Sequence, residues 1–199
     1  MDNKTKRNFC RIVSFYYILQ NKYKKFILNN LIKIEKAIKE DILQILDIYN
    51  YYINFGLANF EEEEISYDEF FELYSSIIKL DLPFLVAKKD NKIVGFVYLN
   101  KFRAKSGYKH TFENSIYIDN KYQGMGIGSD LLVELLEASK KNPNIKNIIA
   151  VIGSFDSESS IQIHKKNGFQ TIGVLKKVGF KKDKWIDAIY MQKVLNEKN

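Results

Sequence analysis

The sequence predicts an α/β domain, a mixed sheet of about seven strands with helices on its faces. Three observations carry this expectation. Apolar stretches of strand type alternate with stretches of helical spacing, in the order strand, helix, helix, three strands, helix, strand, helix, two strands. The chain has 199 residues, 46% of them hydrophobic, which suits one compact unit with a real core. Only 2 prolines and 10 glycines punctuate it, and no repeat or linker-like stretch divides it.

The organised part is expected over residues 31–195, behind a basic N-terminal extension, residues 1–30. LIKIEKA alternates and reads as a strand. KEDILQILDIYNYYINF sets Ile42, Ile45, Leu46 and Tyr49 at helical spacing, and FEEEEI follows as a solvated acidic turn. In SYDEFFELYSSIIKL, Ser66 with Glu69 three residues on forms a capping-box pattern at the start of a second helix. LPFLVAKKDNKIVGFVYLNKF reads as two strands joined at Asp90-Asn91, which is good turn chemistry. KHTFENSIYID is a third strand of this run, followed by glycines and a helix to about Lys141. NIIAVIG is a short buried strand. SESSIQIHKKNGF is a helix stopped by Gly168, and two last strands fall near 169–177 and 185–194.

The glycines are the chemical signal. YQGMGIGSDLL sets Gly124, Gly126 and Gly128 between a strand and a helix. A helix start carries unpaired N–H groups and a partial positive charge, and glycines let phosphate oxygens approach the backbone. No Gly-Lys-Ser/Thr closes the loop as in a Walker A motif. It follows the fourth strand, not the first strand of a dinucleotide-binding unit.

Net charge is +7, and residues 1–40 carry all of it, so the domain itself is neutral and gives no nucleic-acid footprint. The extension, with its apolar Ile12 to Leu19, is read as an added helix or a tail. Contact with a membrane surface is the less favoured option. A single cysteine, Cys10, excludes a disulfide framework and a cysteine-based zinc site, and it agrees with a cytoplasmic location. No metal is expected.

The glycine loop, as Gln123-Gly-Met-Gly126-Ile-Gly128, resembles the acyl-CoA pyrophosphate loop Q/R-x-x-G-x-G/A of the GNAT superfamily of N-acetyltransferases, whose element order is also the one read above. Three longer stretches, ENSIYIDNKYQGMGIGSDLL, AVIGSFDSESSIQIHKKNGF and GFKKDKWIDAIYMQK, are similar to the phosphinothricin N-acetyltransferase branch, as is LANFEEE before the second helix. The resemblance covers about residues 31–194. It implies a mostly antiparallel central sheet and acetyl-CoA as co-substrate. It further implies acetyl transfer by direct attack of a small amino-acid-like amine, of phosphinothricin or methionine-sulfoximine type, and a homodimer. Acetylation of a polyamine or a protein N-terminus, or a non-catalytic acyl-CoA-binding domain, are the alternatives.

Residue by residue, the resemblance implies the following. Glu113 is the general base, on the strand that leads into the glycine loop, with Ser115 and Tyr117 on the same face. Main-chain groups of Ile116, Tyr117 and Ile118 meet the pantetheine amides. Gln123 and the run Gly124, Met125, Gly126, Ile127, Gly128 and Ser129 hold the pyrophosphate. Ser157 stands where relatives usually carry a cofactor-touching Asn, beside Asp156. His164 is the acid for the departing thiolate. Phe60 is an aromatic wall of the substrate site, followed by Glu61 where relatives often carry a basic residue. Arg103, Lys105 and Tyr108 hold the acidic group of an amino-acid substrate. Trp185 and Asp187 are structural, with Trp185 filling the core edge.

Overall fold

A computed structural model of the chain describes residues 32–155 and 157–195. The extension 1–30 and Asp156 lie outside the described residues. The chain divides into two units, Met1–Lys33 and Ile34–Asn199, and the elements below belong to the second apart from the first two residues of β1.

The order is β1 (Ile32–Lys36), α1 (Ile42–Phe55), α2 (Tyr67–Lys79), β2 (Phe84–Lys89), β3 (Lys92–Lys101), β4 (Thr111–Ile118), α3 (Ile127–Lys141), β5 (Asn147–Gly153), α4 (Glu158–Lys166), β6 (Gln170–Lys181) and β7 (Lys184–Val194). The seven strands form one sheet in the order β1-β2-β3-β4-β5-β7-β6. β4 and β5 are parallel, while β2–β3, β3–β4, β5–β7 and β6–β7 are antiparallel. This is the mixed sheet that the sequence predicts, mostly antiparallel as the family resemblance implies.

Local chemistry explains the elements. α1 buries Ile42, Ile45, Ile48, Tyr49 and Ile53, one stripe at helical spacing. Leu46, expected in that stripe, lies beside it and is only half-buried. α2 opens on the capping box read from the sequence. The Ser66 hydroxyl accepts from the Glu69 amide, and the Glu69 carboxylate accepts from the Ser66 amide. The β2–β3 turn has Asp90 and Asn91 both at positive φ (49° and 63°), as a two-residue hairpin turn requires. On one face of the sheet Phe70, Phe84 and Phe96 are fully buried, with ring centroids 6.1–6.4 Å apart. Each such ring contributes roughly 1.5–3 kcal/mol of burial.

β6 departs from the expectation. The sequence ended this strand near residue 177, whereas it runs on to Lys181 through an irregularity between Leu175 and Gly179. Asp187 makes the irregularity possible. Its carboxylate accepts from the Lys177 amide (2.9 Å) and from Lys176 Nζ (2.8 Å), which holds Lys177 at φ 50°. Asp187 is thus structural, as expected. Trp185 is not the core-edge residue expected. It is 57% exposed, with its ring centroid 5.0 Å from that of Phe180.

Candidate active site

The sheet opens where β4 and β5 part. They pair from Thr111↔Asn147 to Asn114↔Ala150 and no further. β5 continues along β7 to Gly153, and β4 continues along β3 to Ile118. The facing edges, Ser115–Ile118 and Val151–Gly153, bound a wedge-shaped gap. Glu113 pairs with Ile149, one residue before the parting.

The ladder decides which main-chain groups face the gap. In an antiparallel pair, successive residues turn their N–H and C=O alternately toward and away from the partner. The Asp119 amide donates to Val94, and the Phe102 amide donates to Thr111. Glu113, Ser115 and Tyr117 therefore belong to the β3 ladder, while Ile116 and Ile118 turn toward the gap. Tyr117 is a correction to the expectation, because its main chain is taken by β3. The Ile118 carbonyl is also occupied, by the Tyr52 hydroxyl at 2.6 Å.

At the end of β4 the chain makes a short 3-10 turn and enters the glycine loop. Gly124 sits at φ 73° and Gly126 at φ 92°, a backbone that side chains disfavour. Gly126 is the N-cap of α3 and supplies no side-chain cap, in contrast with Ser66 of α2. Ser129 and Asp130 already donate to the Gly126 carbonyl, which leaves the Ile127 and Gly128 amides as the open donors of the helix start. Packing does not require a glycine at Gly128, since a Cβ there would meet Ile163 and Ile118 in ordinary contact at 3.6–3.7 Å. Gln123 donates its side-chain amide to the Tyr52 hydroxyl at 2.7 Å. Tyr52 thus ties α1 to both the end of β4 and the start of the loop. No motif flags this residue in the sequence; it reads there as one of several tyrosines on a helix.

Glu113 lies on the sheet face of Tyr98 and Tyr117 and is partly buried. Burial holds its carboxyl above the usual carboxylate range, and the Arg103 guanidinium pulls the other way. Burial raises the pKa of both tyrosines, and the Glu113 charge adds a smaller push in the same direction. Arg103 is exposed, stacked over Phe102 at 4.4 Å, with Tyr108 edge-on to the same ring at 5.9 Å. The structure thus brings Arg103 and Tyr108 together near Glu113. Lys105 is exposed beyond them, its carbonyl accepting from the Tyr108 amide.

Phe60 comes from the α1–α2 loop, whose start crosses the end of β5. A Cβ on Gly153 would lie 3.0 Å from Ala58 Cα, and a Cβ on Gly179 of β6 would lie 2.2 Å from the Phe60 ring. Both glycines are there for close approach. Glu61 follows, its amide held by the Asn59 side chain at 2.9 Å, and its charge is felt by Tyr49, Tyr98 and Tyr117. Ser157 begins α4 with its hydroxyl turned to the Ser154 carbonyl at 3.4 Å.

His164 is 2% exposed. Nδ1 lies 2.7 Å from the Ser160 carbonyl, and Nε2 lies 3.0 Å from the Asn114 amide nitrogen. A carbonyl only accepts, so Nδ1 carries the proton and Nε2 accepts from Asn114. Burial lowers the ring's pKa, which keeps it neutral. Its one proton is committed to Ser160, so this geometry does not supply the acid expected of His164. Asn114, next to Glu113 but on the opposite face, was not singled out in the sequence. Alternation could have placed it facing α4.

The site thus consists of a sheet split beside an uncapped, glycine-led helix, with a carboxylate one residue before the split. The model of the acetyltransferase (GNAT) domain matches residues 12–190, and the chain belongs to this family of N-acetyltransferases. It is 36% identical to a phosphinothricin N-acetyltransferase of Alcaligenes faecalis, over 79% of each chain. It is 27% identical to an L-methionine sulfoximine/L-methionine sulfone acetyltransferase of Salmonella typhimurium, over 81% of this chain and 93% of the relative. A phosphinothricin acetyltransferase of Sinorhizobium meliloti, solved in complex with acetyl-CoA, superposes with a TM-score of 0.79 at 32% identity, covering 83% of this chain and 89% of that one.

Proposed function

We propose that this N-acetyltransferase moves the acetyl group of acetyl-CoA directly to the primary amine of a small amino-acid-like substrate of phosphinothricin or methionine-sulfoximine type. The observation that carries the reading is Glu113, a carboxylate of raised pKa at the vertex of the β4–β5 gap. The relatives above act on such substrates, and one of them holds acetyl-CoA.

The co-substrate supplies an activated acetyl group on a thioester. The chain supplies the rest. The free N–H and C=O of Ile116 and the N–H of Ile118 pair with the pantetheine amides as an added strand would. The Ile127, Gly128 and Ser129 end of α3, with the main chain of Gly124, Met125 and Gly126, holds the pyrophosphate. Gln123 acts from its place on Tyr52, and Ser157 lies at the far side of the gap. Glu113 takes a proton from the substrate ammonium, directly or through water. The amine lone pair then forms the new C–N bond, and a main-chain N–H at the gap stabilises the oxyanion. As the C–S bond breaks, the nitrogen gives up its second proton to solvent, and the thiolate takes a proton from water or from the Glu113 carboxyl. Arg103 receives the substrate's acidic group, with Tyr108 and Phe60 as aromatic walls and Lys105 as an outer charge.

A second reading, a polyamine or a protein N-terminus as acceptor, is favoured by the Glu61 charge on the tyrosine cluster next to Glu113. A panel of amines with acetyl-CoA, read by free thiol release, separates the two. Methionine sulfoximine should exceed spermidine in kcat/KM. The reverse order would reassign the substrate class.

We also infer a homodimer. Ile172, Val174, Leu175, Val178, Phe180 and Trp185 are all exposed on the β6–β7 hairpin, at the sheet edge. Light scattering should give twice the chain mass, and Leu175→Lys should lower it; a monomer at micromolar concentration contradicts the inference. Among the described residues no helix is long and apolar enough to cross a membrane. Cys10 as the one cysteine supports a cytoplasmic setting.

A further inference from the structure

Lys181 closes the stretch G-F-K, and the chemistry above gives it no task. Its side chain is 2% exposed, and a lysine so buried needs a reason. Nζ donates to the Asn59 main-chain carbonyl at 2.9 Å. Burial holds the ammonium below the usual lysine range, with the charge of Lys182 adding to this and those of Glu61 and Glu62 opposing it.

The surroundings give the reason. Lys181 is at the tip of the β6–β7 hairpin, where Lys182 and Asp183 make the turn at positive φ (51° and 58°). The tip meets the α1–α2 loop at several points. Lys182 Nζ donates to the Asn54 carbonyl near the end of α1. Gly179 lies under the Phe60 ring, with no room for a Cβ. At the loop's other end Asn50 holds both the amide (3.2 Å) and the carbonyl (3.0 Å) of Ile65. Between these fixings, Phe60, Glu61 and the following acidic residues are exposed. Asn59 Oδ1 holds the Glu61 amide, so pinning Asn59 also places Glu61.

We propose that Lys181 is a positioning residue for amine recognition: by pinning Asn59 it sets Phe60 and Glu61 over the Glu113 side of the site, and so sets which amines are accepted. This rests on the proposed acetylation reading. The role is confined to the amine side, because the glycine loop and the β4 edge are held independently by Tyr52.

The test is Lys181→Met, which keeps the apolar stem and removes the donor. The KM for methionine sulfoximine should rise roughly tenfold, as expected when a positioning contact is lost, with kcat changed less than about twofold. Acetyl-CoA affinity by calorimetry should stay unchanged. Amide hydrogen exchange at Asn59 and Glu61 should quicken by about tenfold or more, while Leu131–Leu136 of α3 stay protected. Gly179→Ala, which pushes the Phe60 ring, should raise the same KM with Lys181 intact, and reads the loop should Lys181→Met fail to fold. Unchanged loop exchange overturns the proposal. So does an equal loss on the amine and acetyl-CoA sides, which would make Lys181 merely structural. If the wild type acetylates none of the amines, the acetylation reading fails, and the exchange measurement still decides the anchor.

Discussion

Glu113→Gln should lower turnover by roughly 10²–10⁴ near neutral pH, the usual range for loss of a general base. The amide keeps the shape and hydrogen-bonding capacity of the side chain while removing the base, and the glycine loop is untouched, so acetyl-CoA affinity should be nearly unchanged. In the wild type, kcat/KM should rise with pH through the raised Glu113 pKa, because only the carboxylate can take the proton. In the variant, the deficit should shrink as pH approaches the amine's own pKa, since solution then supplies free amine. A deficit equal at every pH would assign Glu113 to positioning, and full turnover would remove it from the mechanism.

The same residue makes a stability prediction of opposite sign. Its folded pKa lies above that of the unfolded chain, about 4.3 for a glutamate. Folding therefore favours the protonated form. That contribution is complete below the unfolded value and is lost as pH rises through the folded value. At pH 7 the ionised, partly buried carboxylate is a cost that glutamine does not carry. Glu113→Gln should melt no lower than the wild type at pH 7, and the difference should vanish toward pH 4. A variant both inactive and less stable would point to lost packing.

Gly126→Val has the second-largest expected effect. Gly126 caps α3 at φ 92°, where a β-branched residue is strained, and two methyl groups would fill the approach to the open amides of Ile127 and Gly128. Acetyl-CoA affinity by calorimetry should fall at least about tenfold, or roughly 1.4 kcal/mol. Circular dichroism should remain that of a folded chain, because α3 is anchored by Leu131, Leu132, Leu135 and Leu136. Tyr52→Phe should weaken acetyl-CoA in the same direction but less, since it frees Gln123 without blocking the helix start. Unchanged affinity in Gly126→Val would move the pyrophosphate elsewhere.

Much of this was legible in the sequence because the signals were local. Period-2 and helical spacing, Ser66 with Glu69, Asp90-Asn91 and the glycines each report on a few neighbouring residues. What was not legible depends on partners far away in the chain. Alternation sets the side-chain face of Tyr117, but the side to which its main chain bonds depends on the parity of the β3–β4 register. The burial of His164 against Asn114 joins residues 50 positions apart. The course of β6 past residue 177 depends on Asp187 across the hairpin. Trp185 looks like a core residue by type, yet it pairs with Phe180 near the tip of the edge hairpin and is exposed there.

The most direct test follows both products of one incubation with acetyl-CoA and methionine sulfoximine. Free thiol is titrated while N-acetylated amine is measured by mass spectrometry. Direct attack under Glu113 predicts one thiol per acetylated amine from the first turnover, no acetylated protein, and both signals reduced together in Glu113→Gln. Thiol release without acetylated amine, or an acetyl group retained on the chain, would contradict the account.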